Sequence, residues 1–181
     1  FDQGWDAMRD QIFARQKQLG VIPADAVLSP RPAGMAAWDS LSPEQQQFSS
    51  RLMEAYVAFL THTDEEVGRL SAHLKQRDLF ENTLFIYVVG DNGASAEGGL
   101  SGSLNYMGQL QGMPEPEAKK FAEVYRLDGH NAYAHVNAAW AWAVNTPFQW
   151  TKTVASHLGG IRNPLVITWP AKIAAKGELR S

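Results

Sequence analysis

The chain has 181 residues, of which 45% are hydrophobic and 19% charged, with a net charge of −3 and no cysteine. This composition is typical of a globular domain with one core, and it excludes a disulfide framework and a zinc–thiolate site. The charges are interspersed, so no basic stripe indicates a nucleic-acid partner. No apolar stretch approaches the ~20 residues of a membrane span, and no signal-peptide pattern opens the sequence. The sequence therefore leaves the compartment open between periplasm and cytoplasm.

Two helices are predicted in the first half of the chain. The first is already under way at residue 1, and Gly20 is typical of its C-terminal cap. A proline-punctuated linker, "VIPADAVLSPRP", follows it. Ser42 begins the second helix with a capping box that Gln45 closes, and this helix is expected to run to about Arg77. Its apolar residues recur at helical spacing: Phe48, Leu52, Tyr56, Phe59, Val67, Leu70 and Leu74.

Two short apolar runs predict β-strands, at residues 84–89 and at residues 164–170. The first run is continuous and rich in β-branched and aromatic residues, which is typical of a strand buried on both faces of a parallel sheet. Two strands alone cannot bury both faces of such a sheet. The predicted fold class is therefore α/β, with part of a mixed, mostly parallel sheet flanked by helices and incomplete in this segment.

A long connection, residues 93–163, separates the two predicted strands. It contains a Gly- and Ser-rich segment and a short predicted helix at residues 115–127. Trp140 and Trp142, in "NAAWAWA", are predicted to be core residues on a helical turn. Long connections of this kind are uncommon in compact domains unless they form a binding site or a lid.

The first predicted strand is followed by "GDNGASAEGG", which raises a question about Asp91 and Asn92. Asp, Asn and Gly together are typical of an ordinary turn. However, ligands of open α/β sheets bind just beyond the carboxyl ends of the strands, where these two residues lie. Both interpretations stay open on these residues alone.

Three separated motifs occur together and in order: "IFARQKQLGVIPADAVLSPRP", "LFIYVVGDNGASAEGG" and "NTPFQWTKTVASHLGGIRNPLVITWP". In this combination the chain resembles the middle of a formylglycine-dependent arylsulfatase of the alkaline phosphatase superfamily. The resemblance implies that residues 1–181 are the central to C-terminal part of a sulfatase catalytic domain. The part with the nucleophile and the small C-terminal subdomain would then lie outside this segment.

The resemblance also implies a Ca²⁺ site at the edge of the sheet. Asp91 and Asn92 match the later acid–amide pair of that site, and the two early acids lie outside the segment. Calcium binds about 6 to 8 oxygen ligands, so these two residues would provide an incomplete site. In the family the ion orients a formylglycine that attacks the sulfur of a sulfate ester.

Four further residues are candidates for the site, Lys152 from the same resemblance and three histidines from their positions in the chain. Lys152 matches the lysine that contacts the sulfate group, and His157 is expected to position or protonate the leaving group. His130 and His135, in the long connection, are expected to contact the substrate.

The segment lacks the Cys/Ser-x-Pro/Ala-x-Arg motif from which formylglycine arises. The resemblance therefore predicts an active sulfuric ester hydrolase for the parent protein and no activity for this segment alone. Two alternatives stay open. One is a phosphate or phosphonate ester hydrolase of the same superfamily, because metal and lysine bind any tetrahedral anion. The other is a non-catalytic truncated chain that acts as an interaction module and self-associates through unpaired sheet edges.

Overall fold

The computed structural model describes residues 1–127, 132–174 and 177–179. Its elements, in chain order, are α1 (Gly4–Gln18), α2 (Pro43–Gln76), β1 (Phe85–Val88), α3 (Tyr106–Leu110), α4 (Glu117–Ala122), α5 (Ala138–Val144), α6 (Leu158–Ile161) and β2 (Leu165–Thr168). Short 3-10 turns lie at Trp38–Ser40, Phe80–Asn82 and Val124–Arg126. The mixture of helices and strands confirms the predicted α/β class.

The helix ends follow the local sequence signals. Ser42 Oγ accepts the N–H of Gln45 at 3.3 Å, and Gln45 Oε1 accepts the N–H of Ser42 at 2.9 Å, so the predicted capping box is present. At the end of α1, Gly20 has a positive φ of 69° and its N–H donates to the Lys17 carbonyl at 3.0 Å. That conformation favours glycine, which explains why the helix stops there.

The two strands lie where they were predicted, and they pair with each other antiparallel. Phe85 faces Thr168 and Val88 faces Leu165. A parallel neighbour for β1, which the apolar run suggested, is not found in the part of the chain that the structure describes. The expected burial on both faces is also not found in the described residues, because Ile86 is 53% exposed.

An aromatic cluster around Trp140 forms the core. Trp140 is fully buried, and the rings of Trp5 and Phe1 meet it edge-on at 5.8 Å each. Its Nε1 donates to the Ser49 carbonyl at 2.9 Å, which joins α5 to α2. Trp142 is buried as well, so the predicted core role of both tryptophans is confirmed.

A buried arginine fastens α1 to the end of α5. Arg9 is 1% exposed, and its guanidinium lies 4.2 Å from the centre of the Trp142 ring. It donates to the Trp142 carbonyl at 2.9 Å and to the Pro147 carbonyl at 3.3 Å. Burial lowers the pKa of Arg9 to about 10. These bonds hold the chain as it leaves α5 toward the candidate site.

The long helix α2 has a buried half and an exposed half. Phe48 and Leu52 are each 2% exposed, whereas Phe59 is 71% and Leu70 54% exposed. The predicted apolar face is therefore continuous in sequence but packed only near its N-terminus. None of the described helices is both long enough and apolar enough to cross a membrane.

Two matched substitutions on α2 test this division. In the isolated chain, Phe48→Ala should lower the free energy of unfolding by about 3–5 kcal/mol because it leaves a cavity in the core. Phe59→Ala should change it by less than about 0.5 kcal/mol. Urea unfolding measures both values. Equal losses would show that the exposed half of α2 is covered in solution, for example by self-association, which a solution mass measurement would reveal.

Candidate active site

Two loops meet beyond the end of β1. We call residues 89–99 the strand-end loop and residues 145–163 the lysine loop. The N–H of Gly93 donates to the Gly160 carbonyl, and the N–H of Lys152 donates to the Ala94 carbonyl, both at 3.0 Å. The backbone therefore places the loop that carries Asp91 directly beside the loop that carries Lys152.

The side chain of Asn145 joins the two loops a second time. Its Oδ1 accepts the N–H of Ala94 at 3.0 Å. Its Nδ2 donates to the carbonyls of Trp150 at 3.1 Å and Gly159 at 2.8 Å. One amide thus satisfies a donor of the strand-end loop and two acceptors of the lysine loop.

The loops approach so closely that one position requires glycine. A Cβ on Gly93 would overlap the carbonyl oxygen of Gly159, a backbone atom that cannot rotate away. The lysine loop also turns sharply on both sides of Lys152, since Trp150 has φ 67° and Thr153 has φ 77°. Such left-handed conformations cost about 1–3 kcal/mol in non-glycine residues and cluster at functional sites.

Asp91 and Asn92 lie three and four residues past the end of β1, as predicted. Asp91 is exposed and Asn92 half-buried, and Asn92 Nδ2 donates to Asp91 Oδ1 at 2.6 Å. Rotating the amide by half a turn would present its oxygen beside the carboxylate instead. Among the described residues, no group of three or more His, Asp or Glu side chains is arranged to hold a metal ion.

Lys152 forms an ion pair that the sequence reading missed. Its Nζ lies 2.9 Å from Oε2 of Glu97, which also accepts the hydroxyl of Ser95 at 2.7 Å. The Lys152 hydrogen bond, followed by that of Ser95, lowers the pKa of Glu97 to about 2. The same hydrogen bond raises the pKa of Lys152, and the charge of Asp91 raises it further.

The predicted histidines lie at different distances from this ion pair. The ring of His135 lies 4.9 Å from the ring of Tyr106. Tyr106 in turn lies close enough to Glu97 to lower the pKa of Glu97 further. The Nδ1 of His135 lies 2.9 Å from the Val136 carbonyl oxygen, so Nδ1 is the donor in this hydrogen bond and Nε2 is left for another partner. Tyr106 and His135 also line a groove of about 560 Å³.

The other two histidines contribute less to the described geometry. His157 belongs to the lysine loop, where its Nδ1 lies 2.9 Å from Ser156 Oγ and its ring meets Trp150 edge-on at 5.8 Å. His130 lies outside the described residues. The structure thus brings together the loops of Asp91, Asn92 and Lys152, and it connects His135 to them through Tyr106.

Removing the Asn145 amide should release the strand-end loop. In Asn145→Ala, the Ala94 amide loses its acceptor, so its hydrogen exchange should accelerate at least about tenfold, as expected for a lost hydrogen bond worth about 1.4 kcal/mol. The Val89 amide, which donates to Pro164, serves as internal reference. Asn145→Asp retains the acceptor and should protect Ala94 while losing the bonds to Trp150 and Gly159. Unchanged exchange in Asn145→Ala would contradict this role.

The ion pair makes a separate prediction about pH. Because Lys152 depresses the folded-state pKa of Glu97, the pair stabilises the fold above the ordinary glutamate pKa of 4.5 and loses that contribution as the pH falls toward 2. In Lys152→Met the pKa of Glu97 should rise toward 4.5, as followed by ¹³C NMR of its carboxyl carbon. Lys119→Met is the charge-matched control. A Glu97 pKa that stays near 2 in Lys152→Met would show that Lys152 is not the cause.

Comparison with known proteins identifies the family of the chain. The Sulfatase family profile matches residues 3–180. An uncharacterized sulfatase of Schizosaccharomyces pombe is 31% identical over 96% of the chain and 30% of its own length. An arylsulfatase of Klebsiella aerogenes is 30% identical over 94% of the chain and 34% of its own length. The chain therefore spans about a third of these relatives, and it belongs to the sulfatase family.

Proposed function

We propose that this chain supplies part of the active site of a sulfuric ester hydrolase. In this proposal Lys152 binds the sulfate group, and Asp91 and Asn92 are two of the ligands of a Ca²⁺ ion. The observation that carries it is the direct bonding of the lysine loop to the strand-end loop, through Gly93, Ala94 and Asn145, in a member of the sulfatase family. The Klebsiella aerogenes relative, named as an arylsulfatase, supports an aryl sulfate as substrate.

The donor set fits calcium in kind but not in number. A carboxylate and an amide carbonyl are oxygen donors of the type that Ca²⁺ prefers. In the structure Asn92 Nδ2 lies against Asp91 Oδ1, so the amide would turn to place its oxygen toward the ion. Two side chains provide fewer than half of the roughly 6 to 8 oxygens that the ion requires. When bound, Ca²⁺ would supply positive charge that polarises the reacting oxygen atoms. Its other ligands would come from the longer protein.

The side chains of the site have distinct roles in this proposal. Lys152 is ammonium at neutral pH, as an ordinary lysine is, and Glu97 raises its pKa further; the ammonium neutralises negative charge on the sulfate oxygens. His157 is placed in the lysine loop to position or protonate the leaving group. His135 presents Nε2, with Nδ1 committed to the Val136 carbonyl, and contacts the substrate through the groove beside Tyr106. The family nucleophile, formylglycine, is not provided by this segment.

Phenyl sulfate binding to the 181-residue chain tests the lysine. Addition of phenyl sulfate should shift the backbone NMR signals of Lys152 and Ala94, and Lys152→Met should weaken binding at least about fivefold by removing the positive charge. Lys119→Met should leave binding unchanged. We expect binding without turnover, because covalent catalysis is absent. Equal binding by wild type and Lys152→Met would refute the sulfate role, and hydrolysis abolished by Asp91→Ala would refute the predicted inactivity.

Calcium binding tests the partial metal site. The isolated chain should bind Ca²⁺ with a dissociation constant of about a millimolar or weaker, because most of the compensating charge is missing. Asp91→Ala should remove this binding, whereas Asp25→Ala, in the exposed linker, should not. Calorimetric titration makes the measurement. Micromolar affinity would show that the segment holds a complete site and would overturn the assignment of a partial one.

A further inference from the structure

Glu97 is a charged residue at the candidate site to which the proposed function gives no direct role. The side chains of Lys152 and Glu97 are 35% and 30% exposed, so an anion from solvent can reach the ion pair. Such an anion would bind the Lys152 ammonium while the Glu97 carboxylate also contacts it. Ser95 donates to the same carboxylate oxygen, so the carboxylate is held in place. An anion at Lys152 therefore meets a fixed negative charge beside the ammonium.

The charges around Lys152 favour ligands of low charge. The positive charge of the Lys152 ammonium is outnumbered by the negative charges of two carboxylates, Glu97 and Asp91, which both interact with it. Tyr106, which faces Glu97, and its ring neighbours Tyr133 and His135 add no negative charge at neutral pH. A sulfate monoester carries one negative charge, while a phosphate monoester carries about −1.5 to −2. Coulomb repulsion from Glu97 is thus up to twice as strong for phosphate.

We propose that Glu97 is a specificity-determining residue that makes the Lys152 site select singly charged sulfate monoesters over doubly charged phosphate monoesters. This inference rests on the proposed function and adds the means by which the site separates two anions of the same shape. Replacing one charge about 5 Å from the ligand in a largely aqueous environment changes the preference by about three- to tenfold. Ser95 acts as a positioning residue for the carboxylate.

Phenyl sulfate and phenyl phosphate, titrated separately into the 181-residue chain at pH 8 and matched ionic strength, provide the test. NMR shifts of the Lys152 and Ala94 amides give both dissociation constants. Wild type should bind phenyl sulfate more tightly. In Glu97→Gln the ratio of the phosphate to the sulfate dissociation constant should fall three- to tenfold. Glu66→Gln, which removes one exposed charge on α2 next to Arg69, should leave the ratio unchanged.

Glu97→Asp separates charge from packing, because it keeps the carboxylate and shortens the side chain; it should retain the preference for sulfate. A Glu97→Gln ratio equal to that of wild type overturns the inference, as does a wild-type chain that binds both ligands equally. Should Glu97→Gln fail to fold, loss of the preference in folded Glu97→Asp overturns it and retention supports it. A different result would refute the proposed function itself: phenyl sulfate binding would be absent, or Lys152→Met would not change it.

Discussion

The amide of Asn145 is the contact on which the geometry of the candidate site depends. It bonds one backbone N–H of the strand-end loop and two carbonyls of the lysine loop, and it stands directly after α5. Aspartate would keep the acceptor but lose both donor bonds, so the amide of asparagine is what meets all three groups.

This contact transmits the rigidity of the core to the site. Trp140, in α5, is fully buried. Arg9 donates to the carbonyl of Trp142, in the same helix, and to that of Pro147, just beyond it. The backbone of Asn145, which lies between these two residues, is therefore held in place. Arg9 is a buried cation that donates to three backbone carbonyls and two hydroxyls, all of them neutral oxygens. These bonds and the Trp142 ring offset the cost of its burial. Breaking them would leave a buried charge without compensation.

Features that depend on neighbouring residues in sequence were predictable, and features that depend on distant residues were not. The capping box at Ser42 and the strand spans follow from local signals, so they were located correctly. The antiparallel pairing and the exposure of Ile86 depend on which elements pack alongside, which no local pattern specifies. Glu97 was overlooked because it lies among small residues in "GASAEGG". Its partner, Lys152, is 55 residues away, and only the fold brings them together.

The two carboxylates that raise the pKa of Lys152 also repel the anion that Lys152 is proposed to bind. Hydrogen bonding and the charges of Glu97 and Asp91 raise the pKa of the Lys152 ammonium, so it is fully protonated at neutral pH, where a sulfate ester is an anion. The repulsion of the anion by these carboxylates falls when a cation pairs with Asp91. By thermodynamic linkage, a bound anion then raises the affinity for that cation by the same factor. Glu97 is hydrogen-bonded to Lys152 and Ser95, so a cation at Asp91 would not neutralise the Glu97 carboxylate. The repulsion between Glu97 and the anion therefore remains. With a cation at Asp91, Glu97 is therefore the carboxylate whose charge would still favour a singly charged anion.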